Sequence, residues 1–275
     1  MRLLRSVIFQ RRFILILTCV SLASLTARPS CAQQPGPQER LIAQLDAADE
    51  EKRLDAAVNL GALFTLTPGA ARQEALAALG RALQADASPV VRALAARALE
   101  LAGDARAVPA LLGALGRERE VAARKAIIYA LARYQEPQVA AALIPILKDK
   151  KSEIRGAAAY ALAEIADPAA GPALMELLQT RRKDEDAFAR SEAARGLGRI
   201  GGAAAVAPLL AALAQDKSHN VRREAVIALG HLAGRQDAAV IEALRAATLA
   251  ADPYLSREAE AALAQINERT MNSRQ

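Results

Sequence analysis

Residues 221–230 read VRREAVIALG, and this short segment decides the fold. If it is helical, with an advance of 100° per residue, Val221, Ala225, Val226 and Leu229 lie on one stripe. Apolar residues spaced three and four apart are typical of an amphipathic helix that buries one side in a core. The segment therefore predicts a helix that packs against neighbours along its aliphatic side.

The same pattern occurs four more times upstream. The copies are residues 91–100 (VRALAARALE), 123–132 (ARKAIIYALA), 154–163 (IRGAAAYALA) and 189–198 (ARSEAARGLG). From the first copy to the segment at 221–230, the arginines are 32, 31, 35 and 32 residues apart, and diverged copies stand at Arg53 and Ser256. A second amphipathic segment precedes each copy, so a period near 33 residues predicts one helical hairpin per repeat.

The composition supports a helical core. About a quarter of the 275 residues are Ala, aromatic residues make up 3% and Trp is absent. Strands need β-branched and aromatic side chains to fill a pleated surface, whereas small aliphatic residues suit closely packed helices. We therefore expect an all-α fold, a right-handed α-solenoid of about seven stacked hairpins. Its terminal repeat carries Ser256 and Glu260 where other copies have Arg and a small apolar residue, as a solvent-facing cap requires.

An acidic residue stands six positions before each of five arginines. The acid and arginine positions are Asp86 and Arg92, Glu118 and Arg124, Asp149 and Arg155, Asp184 and Arg190, and Asp216 and Arg222. With these residues the repeats resemble the HEAT-repeat family, most closely the short bacterial HEAT-like repeats also found in phycobilin lyases. The resemblance covers residues 39–268 and implies that the acid and arginine of each repeat pair in a ladder along the turns. The acid can also cap the helix that follows, and the two roles are compatible.

In stacked hairpins of that family, the second helices resemble an inner wall that lines a concave surface. Positions one, five and nine after the recurring arginine point away from the core stripe, and Arg and Tyr at such positions are favoured in binding sites. The candidate binding residues are Arg97, Lys125, Tyr129, Arg133, Tyr160, Glu164, Arg195, Arg199, Arg223, Ile227 and His231, with Gly156 and Ser191 at position one. Tyr129 and Tyr160 share one column in adjacent repeats, which favours a binding surface. The alternative interpretation is an ordinary solvated helix face.

The N-terminus has the order of a secretory signal peptide. Residues 1–32 hold five arginines and no acid, an apolar run, and small residues before Gln33. We expect cleavage near Ala32, then a polar linker at 33–38, the solenoid at 39–268 and a polar tail at 269–275, which places the protein in the periplasm or outside the cell. An uncleaved leader would anchor the same domain on the same side of the membrane.

Removing the leader changes the expected chemistry. Of the formal net charge of +6, only one positive charge remains after residue 32, and both cysteines, Cys19 and Cys31, are lost. We therefore expect no nucleic-acid partner, no cysteine nucleophile and no Cys-based metal site. The remaining histidines, His219 and His231, lack the His-Glu pairs of HEAT-like deoxyhypusine hydroxylases, so we expect no enzyme and no cofactor.

These observations predict a non-enzymatic scaffold of the bacterial envelope that binds a protein or peptide on its concave face. The alternative is an accessory, chaperone-like factor for an enzyme or a chromophore, similar to the lyase-type HEAT proteins. A charged segment at residues 179–187 is a second possible contact surface. The oligomeric state is left open.

Overall fold

The computed structural model describes residues 35–66, 73–180, 186–234 and 237–272. The predicted signal peptide, the start of the linker and most of the charged segment at 179–187 lie outside the described residues. Fourteen α-helices and no strands occur in the described ranges, so the all-α prediction is confirmed. They are α1 Pro37–Gln44, α2 Glu50–Leu66, α3 Gln73–Ala85, α4 Pro89–Ala102, α5 Val108–Leu115, α6 Val121–Leu131, α7 Pro137–Leu143, α8 Ser152–Ile165, α9 Gly171–Gln179, α10 Ala187–Ile200, α11 Val206–Gln215, α12 His219–Leu232, α13 Ala238–Thr248 and α14 Pro253–Asn272.

The helices pair into seven hairpins, α1–α2 to α13–α14, which we number repeats 1 to 7. Each even-numbered helix packs against its own odd-numbered partner and against the even-numbered helices before and after it. Successive even-numbered helices pack together more extensively than successive odd-numbered helices do. The even-numbered row is therefore the tighter and inner side of the stack, and the predicted solenoid is confirmed.

Small residues let the even-numbered helices approach one another. A Cβ added at Gly198 in α10 would lie 2.8 Å from both Cα and Cβ of Ala228 in α12, and one at Gly230 would lie 2.7 Å from Cβ of Ala262. Ala228 and Ala262 are themselves buried, each six positions after the residue at the arginine position of its repeat, Arg222 and Ser256. Asn59 holds the same position in repeat 1 and is exposed, because no repeat precedes it there.

The ends of the stack differ slightly from the predicted boundaries. Helix α1 begins at Pro37, inside the predicted linker, because proline suits the first helical turn and the Glu39 carboxylate accepts a bond of 2.8 Å from the Gly36 N–H. Helix α14 continues to Asn272, inside the predicted tail. There the Arg269 guanidinium bonds the carbonyl oxygens of Gly230 and His231 at the end of α12.

Candidate functional site

A ladder of ion pairs runs along the turns that precede the even-numbered helices. Five arginines at helix starts each bind the acid of the following repeat, which defines the acid–arginine ladder. Its pairs are Arg53–Asp86, Arg92–Glu118, Arg124–Asp149, Arg155–Asp186 and Arg190–Asp216. The four predicted pairs within single repeats whose acids are described, those of Asp86, Glu118, Asp149 and Asp216, are therefore wrong. Asp184, the predicted partner of Arg190, lies outside the described residues.

Geometry explains the shift by one repeat. The guanidinium does reach back to the predicted acid, but it binds the backbone there. Nη1 of Arg92 donates to the Asp86 carbonyl oxygen at 2.8 Å, and Nη1 of Arg155 donates to the Asp149 carbonyl oxygen at 2.7 Å. The remaining guanidinium N–H groups then point toward the next repeat, where the acid meets them.

The ladder acids also close their own turns. Oδ1 of Asp86 accepts the Ser88 backbone N–H at 2.9 Å, and Oδ1 of Asp216 accepts that of Ser218 at 2.8 Å. The bond from Arg92 lowers the pKa of Glu118, and it outweighs the opposing effect of burial. Asp86, Glu118, Asp149 and Asp216 thus each join the arginine of the preceding repeat to their own turn.

The last rung has a different composition. Asp252, the acid of repeat 7, contacts Nδ1 of His219 at 2.8 Å, and this contact lowers the pKa of Asp252. Arg222 donates to the Asp216 carbonyl oxygen at 2.8 Å and reaches the same His219 nitrogen at 3.0 Å. Arg222 therefore holds its own turn, while His219 takes the place of a direct arginine–acid pair.

The predicted binding residues lie on the even-numbered helices, on what we call the second-helix face. Arg97, Arg133, Arg199 and His231 are exposed there, while Lys125, Tyr129, Tyr160, Glu164, Arg195, Arg223 and Ile227 are half-buried. Two position-one residues differ from the prediction, because Gly156 and Ser191 are buried. Ser191 is drawn inward by a bond of 2.8 Å from its hydroxyl to the Phe188 carbonyl oxygen.

Repeats 3 to 5 bring part of this set together. The Tyr129 and Tyr160 rings meet edge to face with centroids 5.4 Å apart, and the Arg195 guanidinium lies 5.3 Å from the Tyr160 ring centroid. Such ring and cation–ring geometries are favourable contacts. Burial raises the pKa of Tyr129, with smaller effects from Tyr160 and from Glu192 two repeats away. The two tyrosines and Arg195 therefore form one cluster across three helices.

Acidic residues fix the arginines of this cluster. Arg195 pairs with Glu164 of the preceding repeat and with Glu192 of its own helix, at 2.5 and 2.6 Å. Arg199 binds a second oxygen of Glu164 at 3.0 Å. Both predicted cations in repeat 5 are therefore neutralised within the chain.

One aromatic residue of this surface was missed. Phe188 lies in the first turn of α10 with 51% of its surface exposed, and its ring covers Gly156, where an added Cβ would lie 2.6 Å from the ring. It stands seven residues before Arg195, on the same stripe of the helix. Gly156 stands four residues before Tyr160, so Phe188 extends the tyrosine cluster by one turn. A count of positions before the arginine would have found it.

The other predicted residues stay outside this cluster. Arg97 pairs with Glu100 on its own helix. Arg223 lies 3.7 Å from Glu224, whose pKa is raised by burial. Ile227 and His231 follow that pair on α12. Neither has a ring contact or side-chain hydrogen bond within the described part of the chain.

The described ranges lack both a metal-binding cluster and a membrane-spanning helix. No group of three or more His, Cys, Asp or Glu side chains in them is arranged to hold a metal ion. None of the helices in those ranges is long and apolar enough to cross a membrane.

The seven hairpins, the ladder and the uniform small-residue contacts define an α-helical solenoid repeat protein. The family model for HEAT repeats matches residues 114–185 and 177–264, more than half of the chain. The chain belongs to the HEAT-repeat family. A comparison with curated proteins found no match.

Solved structures resemble the chain in fold. The complex of CpcE and CpcF of phycocyanin lyase from Nostoc sp. PCC7120 matches with a TM-score of 0.50 and 23% identity, over 91% of this chain and 98% of that one. YibA of Escherichia coli matches with a TM-score of 0.59 and 20% identity, over 90% of each chain. At these identities the matches establish the shared fold and leave function to be argued from the site.

Proposed function

We propose that this HEAT-repeat solenoid is a non-enzymatic scaffold of the bacterial envelope that binds a protein or peptide on its second-helix face. The observation that carries this proposal is the distribution of exposed apolar side chains. Six large apolar side chains are exposed among the described residues, and none of them belongs to an odd-numbered helix. Four lie on the second-helix face, counted by helix position, namely Val58, Val90, Phe188 and Tyr254. Of these only Phe188 adjoins the tyrosine cluster on repeats 3 to 5, where we place the partner, and Tyr254 lies two repeats away.

The aromatic residues support the same surface. Residues 35–275 contain only six aromatic side chains. Phe64 and Tyr134 are buried, whereas Tyr129, Tyr160 and Phe188 gather on repeats 3 to 5 with partial exposure. A chain that builds its core from Ala and Leu has little structural need for rings at its surface. Partly exposed aromatic residues beside arginine are typical of the energetic centre of a protein interface.

The cluster is also held in place before any partner arrives. Tyr160 is fixed by Tyr129 on one side and by Arg195 on the other, and Arg195 is fixed by two glutamates. Side chains that are already ordered lose little entropy on binding, so more of the contact energy becomes affinity. Proteins built from HEAT repeats commonly bind protein partners, and the closely packed inner row offers an extended surface for one.

A pull-down from envelope extract tests the proposal with a matched control. The double variant Y129A/Y160A removes the cluster, while Y254A removes a more exposed ring at the helix position equivalent to Phe188 but in repeat 7. We expect Y129A/Y160A to lose the proteins that the wild type retains and Y254A to keep them, with unchanged circular dichroism for all three. If Y129A/Y160A retained the same proteins as the wild type, the second-helix face would be rejected as the binding surface.

The envelope location has a separate test. The mature protein from the periplasmic fraction is expected to have an N-terminus near Gln33, read by mass spectrometry. A full-length chain in the cytoplasm would overturn this part of the proposal and leave the binding face untouched.

A further inference from the structure

On repeats 2 to 5, the second-helix face carries its unbalanced positive charge in repeat 3. Lys125 and Arg133 lie on α6 and at its end, four residues before and four residues after Tyr129. Neither forms an ion pair with any acid in the described ranges, although Arg133 is exposed and Lys125 is half-buried. The other cations of this face on repeats 2 to 5 are paired, since Arg97, Arg195 and Arg199 each have a glutamate partner.

This contrast separates two kinds of cation on one surface. The arginines of repeat 5 already have the carboxylates that a partner would otherwise supply, so an incoming acid gains little there. Lys125 and Arg133 have no such carboxylate, and they stand four residues before and four residues after Tyr129 in the sequence. Complementary charge at the rim of an apolar contact gives specificity and speeds association.

Resting on the proposed function, we infer that the partner presents an acidic residue within about two positions of an apolar one in an extended segment. The spacing follows from the two geometries. Four residues of helix rise about 6 Å, and two residues of extended chain span about 7 Å. An apolar side chain that packs on Tyr129 therefore places a carboxylate two residues away beside Lys125 or Arg133.

Neighbouring residues limit the alternatives. Phe188 and Tyr160 continue the apolar surface away from α6. In the following repeats the carboxylates of Glu192 and Glu224 lie beside Arg195 and Arg223, so the charges there are balanced. An acidic segment is thus attracted by repeat 3 and gains little from repeats 5 and 6, which places its carboxylate at repeat 3. A basic partner would be repelled by Lys125 and Arg133.

Selection from a random peptide library displayed on phage tests this inference with the full mature chain as bait. The variant K125E/R133E reverses the two free charges. The control K150E/K217E changes the net charge by the same amount at two exposed lysines in the turns. Y129A/Y160A reports on the binding face itself.

We expect peptides from the wild type to be enriched in an acid two residues from an aliphatic or aromatic residue. K125E/R133E should weaken a synthetic peptide of that kind at least about tenfold in fluorescence anisotropy, more at low salt, while K150E/K217E changes it little. Peptides that show no preference for acids, or that bind K125E/R133E unchanged, would overturn the inference. If such peptides still require Tyr129 and Tyr160, the proposed function stands. If peptides are selected equally by Y129A/Y160A, or by none of the baits, both fail.

Discussion

The acid–arginine ladder and the second-helix face use the same chemistry on the same helices in opposite ways. In the ladder, an arginine occurs at nearly every helix start and each described pair from Arg53 to Arg190 follows one plan. On the face, the residue in the column of Tyr129 changes from Arg97 to Tyr160, Arg195 and Ile227 along the stack. The ladder pairs can join any two adjacent repeats, whereas the residues of the face differ from one repeat to the next.

Burial follows the same division. Arg155 and Asp186 in the ladder are 9% and 2% exposed, whereas Arg195 and Glu164 on the face are half-buried. The ladder therefore stabilises the stack of repeats, and the positions that vary between repeats mark the surface available for function. In a repeat protein the departures from the repeat carry the specific information.

The largest expected effect separates the two arginine types. Arg155→Ala leaves Asp186 buried without its guanidinium partner, so we expect a loss of about 3–5 kcal/mol in the free energy of unfolding. Arg195→Ala breaks partly exposed pairs and should cost about 1 kcal/mol or less. Urea titrations followed by circular dichroism give both values. Similar losses would mean that ladder and face do not differ in structural weight.

Two glycine substitutions sharpen the comparison within neighbouring helices. Gly198→Ala pushes a methyl group against Cα of Ala228, which the backbone must move to accommodate, and overpacking of this kind costs about 1–3 kcal/mol. Gly156→Ala meets only the Phe188 ring, which can swing aside into solvent. We expect Gly156→Ala to keep its melting temperature within a few degrees while it weakens partner binding. A large drop in melting temperature for Gly156→Ala would assign Phe188 to the core.

The dependence of stability on pH gives a smaller contrast. Contact with Arg92 lowers the pKa of Glu118 below its ordinary value of 4.5, so this pair stabilises the fold above that value and is lost as the pH falls through the lowered pKa. Glu224 has a raised pKa and acts with the opposite sign, losing stability as the pH rises from 4.5 through its raised pKa.

Single variants separate these two contributions. Glu118→Gln should flatten the fall in urea midpoint under acidic conditions, and Glu224→Gln should raise the midpoint slightly at neutral pH. A Glu118→Gln profile parallel to that of the wild type would remove the ladder from the acid response.

The sequence was sufficient for the fold because the fold depends on what repeats. Seven copies of one aliphatic stripe and a constant period predict the stacked hairpins without any single copy being decisive. The partners in the ladder were predicted one repeat out of register, since spacing along the chain indicates which acid is near in sequence. Only the packing of successive hairpins shows which carboxylate the guanidinium reaches.

The face was predicted less completely for a related reason. The Tyr129 and Tyr160 column follows from counting, and the structure joins these rings. Arg195, Glu164 and Glu192 hold the rings in place, and the whole cluster combines side chains from three repeats, which spacing along the chain does not reveal. Phe188 was not predicted because the candidate positions were counted only after the recurring arginine. Its ring packs over Gly156, which has no Cβ to exclude it.

Photo-crosslinking from position 160 tests the binding face most directly. A benzoylphenylalanine residue replaces Tyr160 in the living cell, and a matched chain carries it at Tyr254, which is exposed on repeat 7. We expect position 160 to give a discrete adduct with one partner that position 254 does not give, and K125E/R133E to reduce its yield. Identical adducts from both positions, or none from position 160 in a folded chain, would contradict a binding site on repeats 3 to 5.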